Sequence, residues 1–332
     1  MEEVIRWGIL GTGRIARAFA NALRDVPGAQ LVAVASRSGA AAEAFGQDFG
    51  IPHRHASYQA LADNAEVDVV YIGTPHPMHA GNALMCLYAG KHVLCEKAFT
   101  MNRREAAEVV ALARQKNRFL MEAMWTRFLP ALTEARRIVA AGEIGKVYQV
   151  QSDLGFVSRV DEEHRLRSPE LGGGALLDIG IYPLSVATFF LGEVESVQSL
   201  AELDSTGVDV QTVFSLRHKH GGVSSCACSL RAKTPNETLI SGELGYIRLH
   251  SRAHQAQLLT VSLDGVARTV QLPFTGNGYP HEAIEVMRCL RAGQTESPLM
   301  PLDETLALMG VMDTIRAQIG VSYPADLPLQ AL

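Results

Sequence analysis

Cysteine is scarce in this chain of 332 residues: Cys86, Cys95, Cys226, Cys228 and Cys289, an odd number scattered through apolar segments. That excludes a disulfide framework and points to buried, reduced thiols in a reducing, cytoplasmic compartment. Cys226 and Cys228 stand two apart, on one face of a strand, and no second pair accompanies them, so a metal cluster is not expected. The chain has no block of Lys or Arg, and its formal net charge of -5 provides no basic field for nucleic acid or an anionic membrane. Met1-Glu2-Glu3 runs straight into an apolar segment, without the basic start of a leader peptide. No apolar run is expected to span a bilayer. Asn236-Glu237-Thr238 fits a glycosylation acceptor formally, but without a secretory signal it reads as a chance match. Internal repeats and low-complexity stretches are absent too.

What is present is alternation. Short apolar runs at 4–10, 31–36, 67–72, 92–95 and 119–123 are separated by helical patterns at 15–23, 40–49, 78–89 and 104–116. Such alternation predicts a doubly wound α/β domain with a parallel sheet over residues 1–124. From residue 125 to 332 the pattern changes to a helix at 129–141, a strand ending near Gly155, a polar loop at 158–174 and a helix at about 178–191. Strand-like segments then follow at 194–201, 209–217, 222–232, 237–241, 246–250, 257–262 and 267–272, split by Gly, Asn and Asp turn signals. This second part is expected to be an α+β domain with a large, mostly antiparallel open sheet for substrate binding and assembly. Its closing helices, 282–291 and 303–319, could pack back on the first domain.

Gly11-Thr12-Gly13-Arg14-Ile15-Ala16 follows the first strand and opens a helix, the context in which G-x-G-x-x-A carries meaning. Gly11 would make the tight turn, Gly13 would let a pyrophosphate approach the backbone, and Ala16 would let helix and strand pack closely. Enzymes that use NAD place an acid at the end of the second strand, on the ribose 2′-hydroxyl. Here that strand ends Ala35-Ser36-Arg37-Ser38. Ser36 and Arg37 suit a 2′-phosphate, so NADP is expected, with NAD possible.

Cys95-Glu96-Lys97-Ala98 resembles the Glu-Lys-Pro segment of the Gfo/Idh/MocA oxidoreductases, with Ala98 in place of the usual proline. The stretches Gly73-Thr74-Pro75-His76-Pro77-Met78-His79, Glu122-Ala123-Met124-Trp125-Thr126-Arg127-Phe128 and Gly172-Gly173-Gly174-Ala175-Leu176-Leu177-Asp178-Ile179-Gly180-Ile181-Tyr182 extend it. They look most like the dimeric dihydrodiol dehydrogenases, a group that also oxidises aldopyranoses such as xylose. The resemblance implies Tyr182 as acid/base, Lys97 as its partner and Asp178 as an orienting carboxylate. It places Thr74, His76, His79, Glu96 and Lys97 at the nicotinamide end, and Trp125 and Phe156 with Tyr182 around the substrate. Arg127 would reach toward cofactor or substrate, and two or more copies would assemble.

Independently, hydride transfer to a nicotinamide needs a group that takes or returns the hydroxyl proton. A phenol titrates near about 10, too high for a base at neutral pH unless an ammonium lowers it. Blander readings stand beside these: Asp178 as a helix N-cap, Tyr182 as a core tyrosine, Trp125 and Phe156 as packing, Arg37 as a solvated charge. His164, Arg165 and Arg167 read as solvated too, and His76 with His79 makes a poor metal pair for want of a third ligand. The favoured function is an NADP-dependent dehydrogenase for a vicinal diol or cyclic sugar. The alternatives are a sugar oxidoreductase that retains and recycles its nucleotide, and a non-catalytic NADP-binding regulator.

Overall fold

The computed structural model describes residues 3–327. The chain forms two compact units, one ending at Trp125 and taking in Thr275–Leu306, the other made of Thr126–Phe274 and the chain from Ala307 onward.

The first unit is built on six parallel strands: β1 (Ile5–Leu10), β2 (Ala29–Ala35), β3 (His53–His55), β4 (Val69–Ile72), β5 (His92–Glu96) and β6 (Leu120–Ala123). Their order is β3-β2-β1-β4-β5-β6. The direction of winding reverses between β1 and β4, which marks the carboxyl ends of those strands as the place for a nucleotide. Five helices connect them: α1 (Arg14–Leu23), α2 (Gly39–Phe49), α3 (Tyr58–Ala62), α4 (His79–Tyr88) and α5 (Arg103–Lys116). In α1, Ala16, Phe19, Ala20 and Leu23 recur at helical spacing and are buried. Phe19 stacks on Tyr71 with ring centroids 3.8 Å apart, and Trp7 tilts against Phe19 at 5.3 Å. Burial of aromatics this large contributes roughly 4–6 kcal/mol each as an upper bound. The Asn102 side chain caps α5 by accepting from the Glu105 N–H at 3.0 Å, and Asn117 ends it at a φ of 50°.

The second unit begins with α6 (Pro130–Ala140) and β7 (Val147–Gly155), followed after a long loop by a π-turn (Leu176–Gly180) that runs into α7 (Ile181–Leu191). Strands β8 (Val194–Leu203), β9 (Asp209–His218), β10 (Val223–Ser229), β11 (Thr238–Gly242), β12 (Gly245–Leu249), β13 (Leu258–Leu263) and β14 (Val266–Gln271) complete it. The sheet order is β14-β13-β12-β11-β7-β10-β9-β8. The sheet is mostly antiparallel, as the pattern predicts; a first correction to a plain antiparallel run is that β10 pairs with β7 in parallel. The long crossover through α7, β8 and β9 is what a parallel neighbour requires.

A second correction concerns Pro169–Leu191, which by length and composition is apolar enough to cross a membrane, with mean hydropathy 1.6, although 89% of that window is buried inside the protein. Most of α7, from Ile181 to Thr188, is buried without a polar face because it is a core helix, packed on β7 and β10. On the other face of the sheet Leu200, Val213, Val223 and Tyr246 are exposed among Gln149, Gln151, Ser215 and Ser225. The last two helices are α8 (Pro280–Arg291), which belongs to the first unit, and α9 (Leu302–Ile319).

All five cysteines are free and buried. Burial pushes the Cys226 thiol up to about 12. Asn236 donates its amide to the Thr234 carbonyl at 3.1 Å and accepts from the Gly155 N–H at 2.6 Å, so its side chain already serves a turn.

Candidate active site

In the first unit, Gly11 has a φ of 98°, and a Cβ there would come within 2.9 Å of the Gly73 carbonyl, so only glycine fits. Gly13 is the N-cap of α1 and offers no side-chain cap. A Cβ on it would meet nothing within 4 Å. The first N–H groups of α1 therefore open onto free space, which is how a pyrophosphate is received. Thr12, Arg14 and Ile15 complete the turn, with Arg14 exposed. At the end of β2, Ser36 is buried and its hydroxyl accepts from the Ser38 N–H at 3.3 Å. Ser38 in turn caps α2 by accepting from the Ala41 N–H at 3.3 Å. Arg37 is exposed, and its guanidinium lies against the Tyr58 hydroxyl. The residues present fit a dinucleotide.

The ends of β4 and β5 are tied together. His79 is fully buried, with the Thr74 carbonyl 2.8 Å from Nε2 and the Ala98 carbonyl 3.0 Å from Nδ1. Burial holds its pKa below the ordinary value, although the two carbonyls favour the proton. A neutral ring donates to only one of the two carbonyls, and His79 sits fully buried between the loops that follow β4 and β5. His76 packs edge-on against it at 5.6 Å. Asn82 donates to the Thr74 hydroxyl at 3.0 Å. Glu96 accepts from the Tyr71 hydroxyl at 2.5 Å and from the Lys97 N–H at 3.2 Å. Lys97 is half-buried, and its peptide bond to Ala98 is cis, alanine standing where proline is usual. Trp125 stacks on Tyr279, ring centroids 4.4 Å apart. Sequence reasoning missed Tyr279; its signal was an aromatic just ahead of Pro280 at a helix start. Among the described residues, no three His, Cys, Asp or Glu side chains gather as metal ligands.

In the second unit, the triple glycine leads into the π-turn. Gly174 has a φ of 113°, and a Cβ there would collide with the Asp209 carboxylate. Asp209 is fully buried; its Oδ2 accepts from the Leu176 N–H at 2.8 Å and the Thr212 hydroxyl at 2.7 Å. Burial pushes it up to about 6. Asp178 is buried and accepts from Arg165 at 2.8 Å. The N-cap of the turn is Ala175, so Asp178 is not a helix cap. Nor are Arg165 and Arg167 merely solvated: Arg167 pairs with the buried Asp204 at 2.6 Å and pins the loop.

Tyr182 is buried on α7, its ring centroid 5.4 Å from that of His254. No local pattern singles out His254, whose carbonyl accepts from the Thr126 hydroxyl at 2.8 Å. Arg127, expected to reach toward cofactor or substrate, donates to the Ser185 hydroxyl at 2.9 Å and carbonyl at 3.1 Å, with Phe189 at 4.9 Å. It braces α7, the helix that carries Tyr182. Phe156 is 39% exposed.

Comparison with known proteins agrees with this geometry. The profile described as "Oxidoreductase family, NAD-binding Rossmann fold" matches residues 5–124, and that of the GFO/IDH/MocA C-terminal domain matches residues 132–248. The trans-1,2-dihydrobenzene-1,2-diol dehydrogenase of Danio rerio is 39% identical over 338 residues, covering 97% of this chain and 99% of that protein. The aldose-aldose oxidoreductase of Caulobacter crescentus, solved with glycerol, superposes with a TM-score of 0.88 at 26% identity, over 95% of this chain and 97% of that one. A 3-ketoreductase from Actinomadura kijaniata, solved with NADP and TDP-benzene, gives 0.85 at 26% identity, over 96% of this chain and 98% of that one.

Proposed function

The chain belongs to the Gfo/Idh/MocA oxidoreductases, and from that premise we propose that it is an NADP-dependent dehydrogenase of a vicinal diol or cyclic sugar. The observation that carries the reading is Lys97, a half-buried ammonium at the carboxyl end of β5, on the edge of the sheet where the Gly11–Gly13 turn receives a dinucleotide. A nicotinamide bound there would supply the acceptor for the hydride of the carbinol carbon. Tyr182 takes the hydroxyl proton, and Lys97 is assigned the cation that favours its phenolate. Asp178, neutralised by Arg165, orients the reacting hydroxyl. The absence of an acid after β2, with exposed Arg37 beside the capped start of α2, favours the 2′-phosphate of NADP over a bare ribose.

The diol follows from the name of the Danio rerio relative, the sugar from the Caulobacter crescentus structure. Likeness to an aldose-aldose oxidoreductase also favours a second reading, in which the nucleotide stays bound and shuttles hydride between two sugars. Nicotinamide absorbance followed across trans-diols and aldopyranoses tests both. Reduction of free NADP by a diol or sugar supports the first; reduced nucleotide that remains with the protein through gel filtration supports the second. No absorbance change with any of these substrates refutes both.

A further inference from the structure

Glu282 lies in the first turn of α8 and is fully buried, yet neither of its carboxyl oxygens has a hydrogen-bond partner among the described residues. An ionised carboxylate without a donor is among the least favourable things a protein interior can hold. The group acting on it is Glu96, on β5 immediately before Lys97. The two acids are not equivalent. Glu96 accepts from the Tyr71 hydroxyl on Oε1 and from the Lys97 N–H on Oε2, the surroundings of an anion, whereas Glu282 receives nothing. The helix start around Glu282 by itself favours negative charge, but only weakly next to complete burial beside another carboxylate.

We propose that Glu282 is held as the neutral acid beside the ionised Glu96, so that the two carry one negative charge and act as a positioning element for the Lys97 end of the nucleotide site. The titratable side chains facing the pair are Tyr71 on β4, Cys95 on β5 and Tyr279 at the N-cap of α8. Burial, then Glu96, pushes the Tyr71 phenol well above its ordinary range, so it remains a neutral donor. Burial, then Glu96, likewise pushes the Glu282 carboxyl well above the ordinary carboxylate range. Once Glu282 ionises, two buried carboxylates repel, and Glu96 is driven from the donors that fix it beside Lys97.

The role rests on nucleotide binding by the first unit, so the test reads both binding and the proton itself. NADP affinity is measured by intrinsic fluorescence at rising pH in the parent protein and in Glu282→Gln, whose amide is permanently neutral. In the parent, affinity is expected to fall at alkaline pH, approaching tenfold per pH unit once the acid has ionised, while Glu282→Gln shows no such limb. Thermal melting gives a second readout: Glu282→Gln gains on the parent as pH rises, because only the parent must keep a proton that its unfolded chain releases. The infrared carbonyl band of a protonated carboxylic acid gives a third, expected to persist in the parent above neutral pH even if the variant fails to fold. The same alkaline limb in both proteins overturns the proposal, as does the absence of that band. Failure to bind NADP at any pH refutes the proposed function alone, since the melting and infrared readouts still decide where the proton lies.

Discussion

Asp209→Asn isolates the effect of a buried acid on the turn that carries Asp178 and Tyr182. Burial raises Asp209 from the ordinary 3.8 to about 6, outweighing the hydrogen bonds from Thr212 and the Leu176 N–H that pull the other way. The folded protein therefore holds this proton more tightly than the unfolded chain. The penalty is absent below about pH 4, grows as the pH climbs toward about 6 and is complete above it. The difference between 3.8 and about 6 corresponds to roughly 3 kcal/mol. Asparagine keeps an acceptor for the Leu176 N–H and cannot ionise. Any constant difference in fit shifts its stability equally at every pH.

Urea unfolding of both proteins at a series of pH values from acid to neutral is the assay. Relative to the variant, the parent should lose roughly 3 kcal/mol across the interval, with the change centred between the two pKa values. Acids such as Glu134, which the Arg137 hydrogen bond holds below the ordinary carboxylate range, act in the opposite direction but cancel in the difference. A difference that does not vary with pH would refute the assignment of a buried, ionising Asp209.

Three further outcomes are expected. Tyr182→Phe should leave NADP affinity intact while kcat falls roughly 10²–10⁴-fold, and Lys97→Met should move residual activity to higher pH; near-normal turnover in Tyr182→Phe would place the acid/base elsewhere. Arg37→Ala should bring NADP affinity down toward that for NAD, measured by fluorescence titration, and equal affinities in the parent protein would contradict the reading of the loop after β2. The outer face of the second unit's sheet, where Leu200, Val213, Val223 and Tyr246 are exposed, is expected to be covered by a second copy, so light scattering at micromolar concentration should give the mass of two chains rather than one.

Local chemistry was legible in the sequence because it repeats at short range. The Gly11–Gly13 turn, the helix of Ala16, Phe19 and Leu23, and the alternation of the later strands all declare themselves within a dozen residues. Strand β3 and helix α3 escaped because three and five residues carry too little pattern, and β3 is an edge strand of charged and polar look. The turn at Leu176 begins earlier than the predicted helix, since a buried acid from β9 holds its first N–H and no local signal announces that. The pairing of Asp178 with Arg165, the burial of Glu282 and the parallel registry of β7 with β10 arise from tertiary approach. Periodicity cannot encode them. Arg127 shows the same limit: the resemblance implied a reach toward cofactor or substrate, and the hydrogen bonds from its guanidinium to Ser185, which brace α7, join residues 58 apart in sequence.

The His79 ring, spanning the carbonyls of Thr74 and Ala98, has a consequence for how this protein can change. Loops after two adjacent strands are latched through one side chain, so neither can be altered in length or path without disturbing the other, and with it the backbone at Lys97. The loop after β2 is tied differently: Arg37 and Ser38 are exposed, the Arg37 guanidinium lies against the Tyr58 hydroxyl, and the hydrogen bonds of Ser38 run to its own helix and to Ser36. The proposed seat of nucleotide preference thus lies on exposed side chains, whereas the backbone at Lys97 is held by a buried one, so substitutions at Arg37 and Ser38 leave the His79 latch in place.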